Sequence, residues 1–580
     1  MTHQPNSDQG RIPYRLRIGV TGHRRLPDEE ALAEQVRRAL QRTRELLPSS
    51  PYTPVLFTII SPLAEGADRL VAREVLKSEG ADLEVPLPLP REEYLRDFQS
   101  DESKREFDAL LSRAREVTEL GPSESREKAY ESVGHHVVDR CDVLIALWDG
   151  EPSRGQGGTA EIVEYARTRE EQQQPNIRPR RGLWKVVENA AGFIRRYGSF
   201  GLKPSPRDTR RSRVPIFWIS TKGRQELVEE LGDDFKATPF RLLDEYNRAK
   251  MTQVDMEQQL SEHRRQLSVA GQRLDTSALP LKVISDWVAP FYVRADLLAR
   301  RCQNWYYILS NALFLLAAAA VAAIASQVVL APDRLELVWI EVVLMLGVLV
   351  MVGAGRLWHF YDRWISYRFL AERFRSAYFL ALAGLRGHRE ASLEHARLGH
   401  TSEEWLRWAF GEVWSQRPQV ELPPSSVEDL RQFLAEAWVG DQANFHRSAH
   451  DKYRFRHLRL SRITEFLFGS TILAAVLHAL GVGERGSVGS LSLSDVLSLL
   501  AISLPAVGAA VSGILAEREY MRNSGRYGEM VGQLEAARRR MEAGQDLEAV
   551  RAAAVEAENL MLQENRDWFV LMSPHEIRPT

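Results

Sequence analysis

The sequence predicts an N-terminal α/β domain with a parallel sheet, followed by an all-α membrane region of four transmembrane helices in two hairpins. Two observations predict this. Between residues 15 and 222, short apolar runs alternate with helical patterns, the mark of a parallel sheet with helices on both faces. Further on lie four stretches that are nearly free of charge and about 20 residues or longer, the length that spans a bilayer.

The apolar runs are RLRIGVTG, VLFTIIS (55–61), LEVPLPLP (83–90), VTELG (117–121), DVLIALWDG (142–150) and VPIFWIS (214–220). Helical patterns lie between them near 28–47, 65–79, 103–116, 126–140 and 158–172. An Arg- and Pro-rich insertion, about 173–213, separates the last two strands. Within it, 183–202 reads either as a basic amphipathic helix on a membrane surface or as a loop with an apolar stretch. Residues 223–300 form a charged helical connector.

The apolar stretches are 308–330, 337–357, 463–483 and 496–515, and divide the membrane region into units 301–422 and 423–580. The alternative is a set of buried helices in a large soluble protein. Flanking charge argues for a membrane. Arg294, Arg300 and Arg301 precede the first span, and Arg356, Arg363, Arg368, Arg373 and Arg375 follow the second. Lys452, Arg454, Arg456, Arg459 and Arg462 precede the third, and Arg518, Arg522 and Arg526 follow the fourth. The short tips hold only Arg334 and Arg485. The positive-inside rule then places both tips outside and the N-terminal domain and C-terminus in the cytoplasm. Aromatic residues at 305–307 and 358–364 fit a belt at the cytoplasmic interface. Each half has a basic approach helix, a hairpin and a long exit helix, a layout that suggests an internal repeat.

Composition narrows the classes. A net charge of −2 gives no sign of a nucleic-acid partner. Two cysteines, Cys141 and Cys302, cannot build a disulfide framework or a Cys-rich zinc site. The polar first residues contain no apolar core of a signal peptide.

Open parallel sheets bind ligands beyond the carboxyl ends of their strands, and three such ends here carry unusual residues. The first is Gly19-Val20-Thr21-Gly22-His23-Arg24-Arg25, where a glycine turn and arginines could cradle phosphate or form a plain turn. The second is Ser61-Pro62-Leu63-Ala64-Glu65-Gly66-Ala67-Asp68. Its acids either complement a helix dipole or bind a ribose hydroxyl through Glu65 or Asp68. The third is Asp149-Gly150, then Gly155, Gly157, Gly158, Thr159 and Glu161, a glycine-rich entry to a helix that could receive an anion or be a flexible loop.

Together, IGVTGHR, SPLAEGADRL and WDGEPSRGQGGTAEIVEYA resemble the SLOG family of Rossmann-like domains over roughly residues 15–222. The resemblance implies a nucleotide or nucleotide-derived ligand; some members cleave N-glycosidic bonds with a Pro-Gly-Gly-x-Gly-Thr-x-x-Glu loop. Here Gly157-Gly158-Thr159 matches in part, but the proline is absent and Glu161 follows the threonine by two residues, which favours sensing. The membrane halves resemble SLATT domains through YVRADLLARRCQNWY, EAWVGDQANFHRSAHDKYRFRHLRLSRI and ENRDWF. That resemblance implies pore-forming or membrane-perturbing effectors in prokaryotic conflict systems such as antiviral defence.

The expectation is an integral membrane effector gated by a nucleotide-derived signal, needing no resident cofactor and assembling as a homo-oligomer in the bilayer. Glu341 and His478, near the outer ends of their spans, are either pore candidates or solvated interface residues. Small residues such as Ala317–Ala320, Gly508 and Gly513 read as helix-packing positions. Two alternatives remain: a membrane-tethered nucleotide hydrolase using Glu161 or Glu65, and a small-solute transporter, for which Pro505 is the only helix break of the expected kind.

Overall fold

The computed structural model describes residues 10–121, 123–152, 158–168, 214–222, 226–230, 237–273, 280–385, 404–419, 426–482, 487–488 and 491–572. The insertion at 173–213, Gly155 and Gly157 lie outside them. The chain divides into two compact units, one from Pro13 to Asp244, the other from Glu245 onward together with the segment ending at Ile12.

The first unit is built on a seven-stranded sheet. Its strands are β1 (Tyr14–Gly22), β2 (Val55–Ile60), β3 (Asp82–Leu87), β4 (Glu116–Glu119), β5 (Val143–Trp148), β6 (Ile216–Ser220) and β7 (Leu227–Glu230). Their order is β4-β3-β2-β1-β5-β6-β7. All neighbours pair in parallel except β6 and β7, which are antiparallel. This is a Rossmann-like arrangement, and the order reverses between β1 and β5. Loops on either side of that point leave in opposite directions and open a crevice. Pro86 sits in β3 without breaking a ladder. Its missing N–H falls on the β2 side, where pairing has ended at Ile60 and Glu84.

Helices α1 (Glu29–Glu45), α2 (Ala67–Val75), α3 (Arg91–Tyr94), α4 (Asp101–Leu111), α5 (Arg126–Arg140) and α6 (Thr159–Thr168) connect the strands. Two glycines of β1 show how they cover both faces. A Cβ at Gly19 would lie 2.8 Å from the Cys141 side chain, directly after α5. A Cβ at Gly22 would lie 2.5 Å from Ala67 in α2. Three residues apart on a strand, these positions point to opposite faces. The α5–α6 side is packed with Val137, Val138, Leu144, Ala146, Ile162, Val163 and Ile216.

The second unit is helical. It contains the end of α7 (Ala237–Arg248), then α8 (Gln253–Arg273), α9 (Leu281–Leu330), α10 (Val338–Trp358), α11 (Phe360–Leu382) and α12 (Glu404–Ser415). After α13 (Val427–Phe433), a π-helical segment (Leu434–Gly440) runs into α14 (Asp441–Ala479). The chain then forms α15 (Leu493–Arg518), α16 (Tyr520–Ala543) and α17 (Leu547–Met572). Four helical stretches, Leu281–Leu330, Leu335–Leu382, Val427–Ala479 and Leu493–Ala543, are long and apolar enough to cross a membrane.

Burial separates the parts of these helices. In α9, Ile284, Val288, Arg294, Ala295 and Leu298 are buried, whereas Ile308, Leu315, Ile324 and Val328 are exposed. No residue of α10 is buried, and Trp339, Val343, Leu349 and Leu357 face outward. An apolar surface of this extent suits lipid and not water. The spans pack as a row, α10 on α9, α9 on α15, and α15 on α14. Close approach explains the small residues: a Cβ at Gly513 would meet the Phe314 ring at 2.5 Å, and one at Gly508 would meet Phe468 at 3.3 Å.

The predicted repeat has a backbone counterpart. Span helix α10 ends at His359 (φ 46°, ψ 38°) and span helix α15 ends at Glu519 (φ 44°, ψ 39°). Both are left-handed, a conformation costing a non-glycine residue about 1–2 kcal/mol, and each is followed at once by an exit helix. The part of the unit outside the apolar stretches is held by buried polar bonds. The Asn247 side chain binds the Ile12 backbone at both ends, accepting from its N–H at 3.0 Å and donating to its carbonyl at 2.7 Å. Arg294 donates to the carbonyls of Tyr246, Asn247 and Ala249 at 2.8–2.9 Å, closing the end of α7.

Candidate functional site

The crevice between β1 and β5 is a cleft of about 750 Å³. Backbone bonds fix its floor. The His23 N–H donates to the Leu147 carbonyl at 3.1 Å, and the Ala67 N–H donates to the His23 carbonyl at 3.0 Å. Gly66, at φ 81°, lets α2 begin here; a Cβ would lie 2.3 Å from the Arg24 carbonyl oxygen. The first and second strand ends therefore meet at one turn.

His23 Nε2 stands 3.1 Å from both the amide nitrogen and the carboxylate Oδ1 of Asp149. A bare Nε2 accepts the amide hydrogen; a protonated one donates to the carboxylate. Lys222 approaches Asp149 at 3.3 Å and Glu151 at 2.7 Å. Burial opposes ionisation of Asp149, but the Glu151 amide, Lys222 and His23 outweigh it and hold the carboxyl down at about 2. Gly150 turns the chain after it at φ 80°.

Asp68 behaves oppositely. It is 7% exposed, and only the Ala64 N–H, at 3.3 Å, binds its carboxylate directly. Burial pushes it up to about 7 against that bond and the charges of Arg24 and Arg69. A carboxyl that exchanges its proton near neutrality in a cleft is a candidate for binding or chemistry. Beside it, Tyr94, one of the cleft-lining residues, is fully buried, and its hydroxyl has no hydrogen-bond partner among the described residues. Buried polar atoms are normally satisfied, so an unpaired hydroxyl on a cleft-lining residue marks a point of interest in the wall.

The rest of the wall comes from α5 and α6. Arg126 binds Glu93 at 2.7 Å and Asp97 at 2.5 Å, and the Tyr130 hydroxyl donates to Asp97. The Arg24 guanidinium lies 5.5 Å from the centre of the Tyr130 ring. Gly158 and Thr159 bring the amino end of α6 to the cleft, where its dipole favours negative charge.

Of the residues predicted for this site, Thr21, Gly22, His23, Arg24, Asp68, Asp149, Gly158 and Thr159 line the cleft together. Others are placed elsewhere. Ser61 is fully buried; its hydroxyl accepts from the Leu63 N–H at 3.1 Å and sits 3.4 Å from the Asp68 carbonyl, closing the turn. Glu65 turns toward α4, accepting from the Ser103 hydroxyl and the Gln99 N–H. Gly19 lies under Cys141, Gly66 forms the floor, and Glu161 sits in the first turn of α6. Sequence reasoning missed Tyr94, Asp97, Arg126, Tyr130 and Lys222. The aromatic and basic residues at the start of α5 were the available signal, but nothing in their spacing ties them to β1.

In the helical unit, Glu341 lies in the first turn of α10. His478 is exposed near the end of α14, with its Nδ1 3.2 and 3.3 Å from the hydroxyls of Ser494 and Ser498 in α15. Among the described residues, no group of three or more His, Cys, Asp or Glu could hold a metal ion. The chain matches no protein-family model and no curated protein.

Proposed function

We propose that this chain is a membrane effector in which the α/β unit senses a nucleotide-derived ligand and controls the four-span region. One observation carries the reading. A cleft at the reversal point of a Rossmann-like sheet, with an unpaired buried hydroxyl, a buried Asp68 and a helix amino end, belongs to a chain with four helices able to cross a membrane. Arg24, Arg25 and the start of α6 receive the phosphate; Asp68 and Tyr94 bind hydroxyl or base edges. Flanking arginines put this unit in the cytoplasm and the hairpin tips outside, in the inner membrane of a prokaryote. A single row of four spans needs several copies to surround a conduit, so the effector acts as a homo-oligomer. Its context, by resemblance to SLOG and SLATT proteins, is antiviral defence.

The test is the full chain in liposomes, titrated with cyclic nucleotides and ADP-ribose derivatives while binding and dye leak are both measured. The expected result is leak from ligands that bind, with both lost in Arg24→Ala. Binding without leak for every ligand overturns the gating.

The His23–Asp149 pair favours a second reading, hydrolysis of the bound nucleotide, with His23 and Asp68 as the proton-handling groups. This differs from the sequence expectation of Glu161 or Glu65, neither of which lines the cleft. Release of free base or phosphate by the full chain, lost in His23→Ala, would establish it.

A further inference from the structure

The helical unit contains a cavity of its own, about 430 Å³ in volume. Six cationic side chains line it, Arg300, Arg368, Arg375, Lys452, Arg456 and Arg518, against three carboxylates, Glu372, Glu517 and Glu564. Much of this charge is internally matched. Asp296 binds Arg300 at 2.7 Å and Arg368 at 3.1 Å. Glu372 binds Arg368 at 2.5 Å and also Arg375. Glu517 accepts from the hydroxyls of Tyr306 and Ser310 at 2.6 and 2.5 Å.

Arg518 is not matched. It is 8% exposed, and its guanidinium stacks 3.6 Å from the centre of the Tyr307 ring. Its Nη2 donates to Asn311 Oδ1 at 3.1 Å and approaches the Tyr307 carbonyl at 3.5 Å. Its Nη1 has no hydrogen-bond partner, and no described carboxylate lies within ion-pair distance of it. His446, 5% exposed, also leaves Nδ1 unpaired. A buried cation without a counter-charge is costly. Arg518 and His446, unsatisfied among the described residues and carried on different helices, both line this cavity, as do the exposed Lys452 and Arg456.

Position narrows what could fill it. Tyr306 and Tyr307 directly precede the apolar stretch 308–330, and Arg518 follows the stretch 496–515. The Arg518 end of the cavity thus adjoins the apolar stretches, close to the level expected for lipid phosphates. Guanidinium groups and phosphate match in charge and donor geometry. The volume exceeds that of a bare phosphate, and Tyr453, Tyr520 and Tyr527 offer ring faces to whatever the phosphate carries.

We propose that this cavity is a second anion site, which takes a phosphate group on Arg518 with Lys452 and Arg456 at its mouth. The phosphate comes either from an anionic lipid headgroup or from a soluble molecule. The site stands whatever the α/β unit binds.

The test is thermal unfolding of the full chain in detergent with added inorganic phosphate or phosphatidylglycerol, against chloride and phosphatidylcholine. One of the two phosphate probes should raise the midpoint. A shift with phosphatidylglycerol alone assigns the lipid; a shift with inorganic phosphate assigns the soluble source. The double variant Lys452→Gln/Arg456→Gln, altered only at exposed positions, should need at least tenfold more of the effective probe. Arg518→Gln should abolish the response; if it does not fold, the mouth variant decides. No shift with either probe, or an unchanged response in the mouth variant, overturns the proposal.

Discussion

The two cavities of this chain are built on opposite principles. The cleft of the α/β unit is formed by loops and helix ends at a sheet edge. Arg24, Arg25 and Arg126 share it with Asp68, Asp97, Glu127, Asp149 and Glu151. The cavity of the helical unit is walled by long helices, and its cations outnumber its carboxylates two to one. In the first, one carboxyl sits near neutrality and another far below it, so the site is tunable by protons and by ligand. In the second, Asp296 and Glu372 are locked between arginines and serve as structure. A charged side chain has a different meaning in each place, and mutation should expose this.

The largest effect is expected at the ladder of the helical unit. Glu372→Leu leaves Arg375 with only Gln442 and Arg368 with only Asp296, and removing one partner of a buried pair costs about 3–5 kcal/mol. Thermal unfolding of the full chain should show it. A mild effect would mean that the ladder is not structural and would bring the two cavities closer in kind.

Asp68 comes next, with a pH signature. Its folded pKa lies above the unfolded value, so the folded state holds the proton more tightly. The stability it allows is complete below about pH 4 and is lost as pH rises toward 7. Asp68→Asn should therefore stabilise the protein by up to about 4 kcal/mol at pH 8 and by little at pH 4. Asp149 has the opposite sign: its contribution is present at neutrality and falls away as pH drops toward 2. A pH-independent gain in Asp68→Asn would remove the distinction between the two carboxyls.

A glycine pair gives the third contrast. Gly66→Ala places a side chain at φ 81° against the Arg24 carbonyl and should cost about 2 kcal/mol, measured by unfolding and by loss of ligand from the cleft. Gly353→Ala in α10 meets nothing within 4 Å and should gain about 0.5–1 kcal/mol. The smallest effect belongs to the exposed pair Arg538–Glu542, 2.8 Å apart on α16. Arg538→Ala should change stability by less than about 0.5 kcal/mol.

Much of the fold was legible because it depends on local pattern. Six strands, the helices between them and four spans all follow from periodicity and apolar length. The seventh strand did not. LVEE is four residues long, and it pairs only because β6 turns back on it. The site was legible as strand ends and not as contacts. Asp149 is 126 residues from His23, and nothing local announces that they touch. Ser61 and Glu65 have the right chemistry, but which side of a turn they face is decided by packing against α2 and α4. The repeat was visible as layout, while its left-handed breaks were hidden because Glu519 does not favour that conformation and His359 adopts it only occasionally.

Those breaks have a mechanical consequence. Helix α9 runs for 50 residues, about 75 Å, from the buried helical assembly along the exposed apolar stretch, with Pro290 the one residue inside it that cannot donate to the ladder. It is a shaft: a push or twist at one end arrives at the other. On the return path, a left-handed residue cuts the hydrogen-bond ladder in each half, and the exit helix is a jointed arm. Strain applied at the buried end therefore travels along the entry helices and is released at the two joints on the way out, which gives the apolar helices a preferred direction of loading.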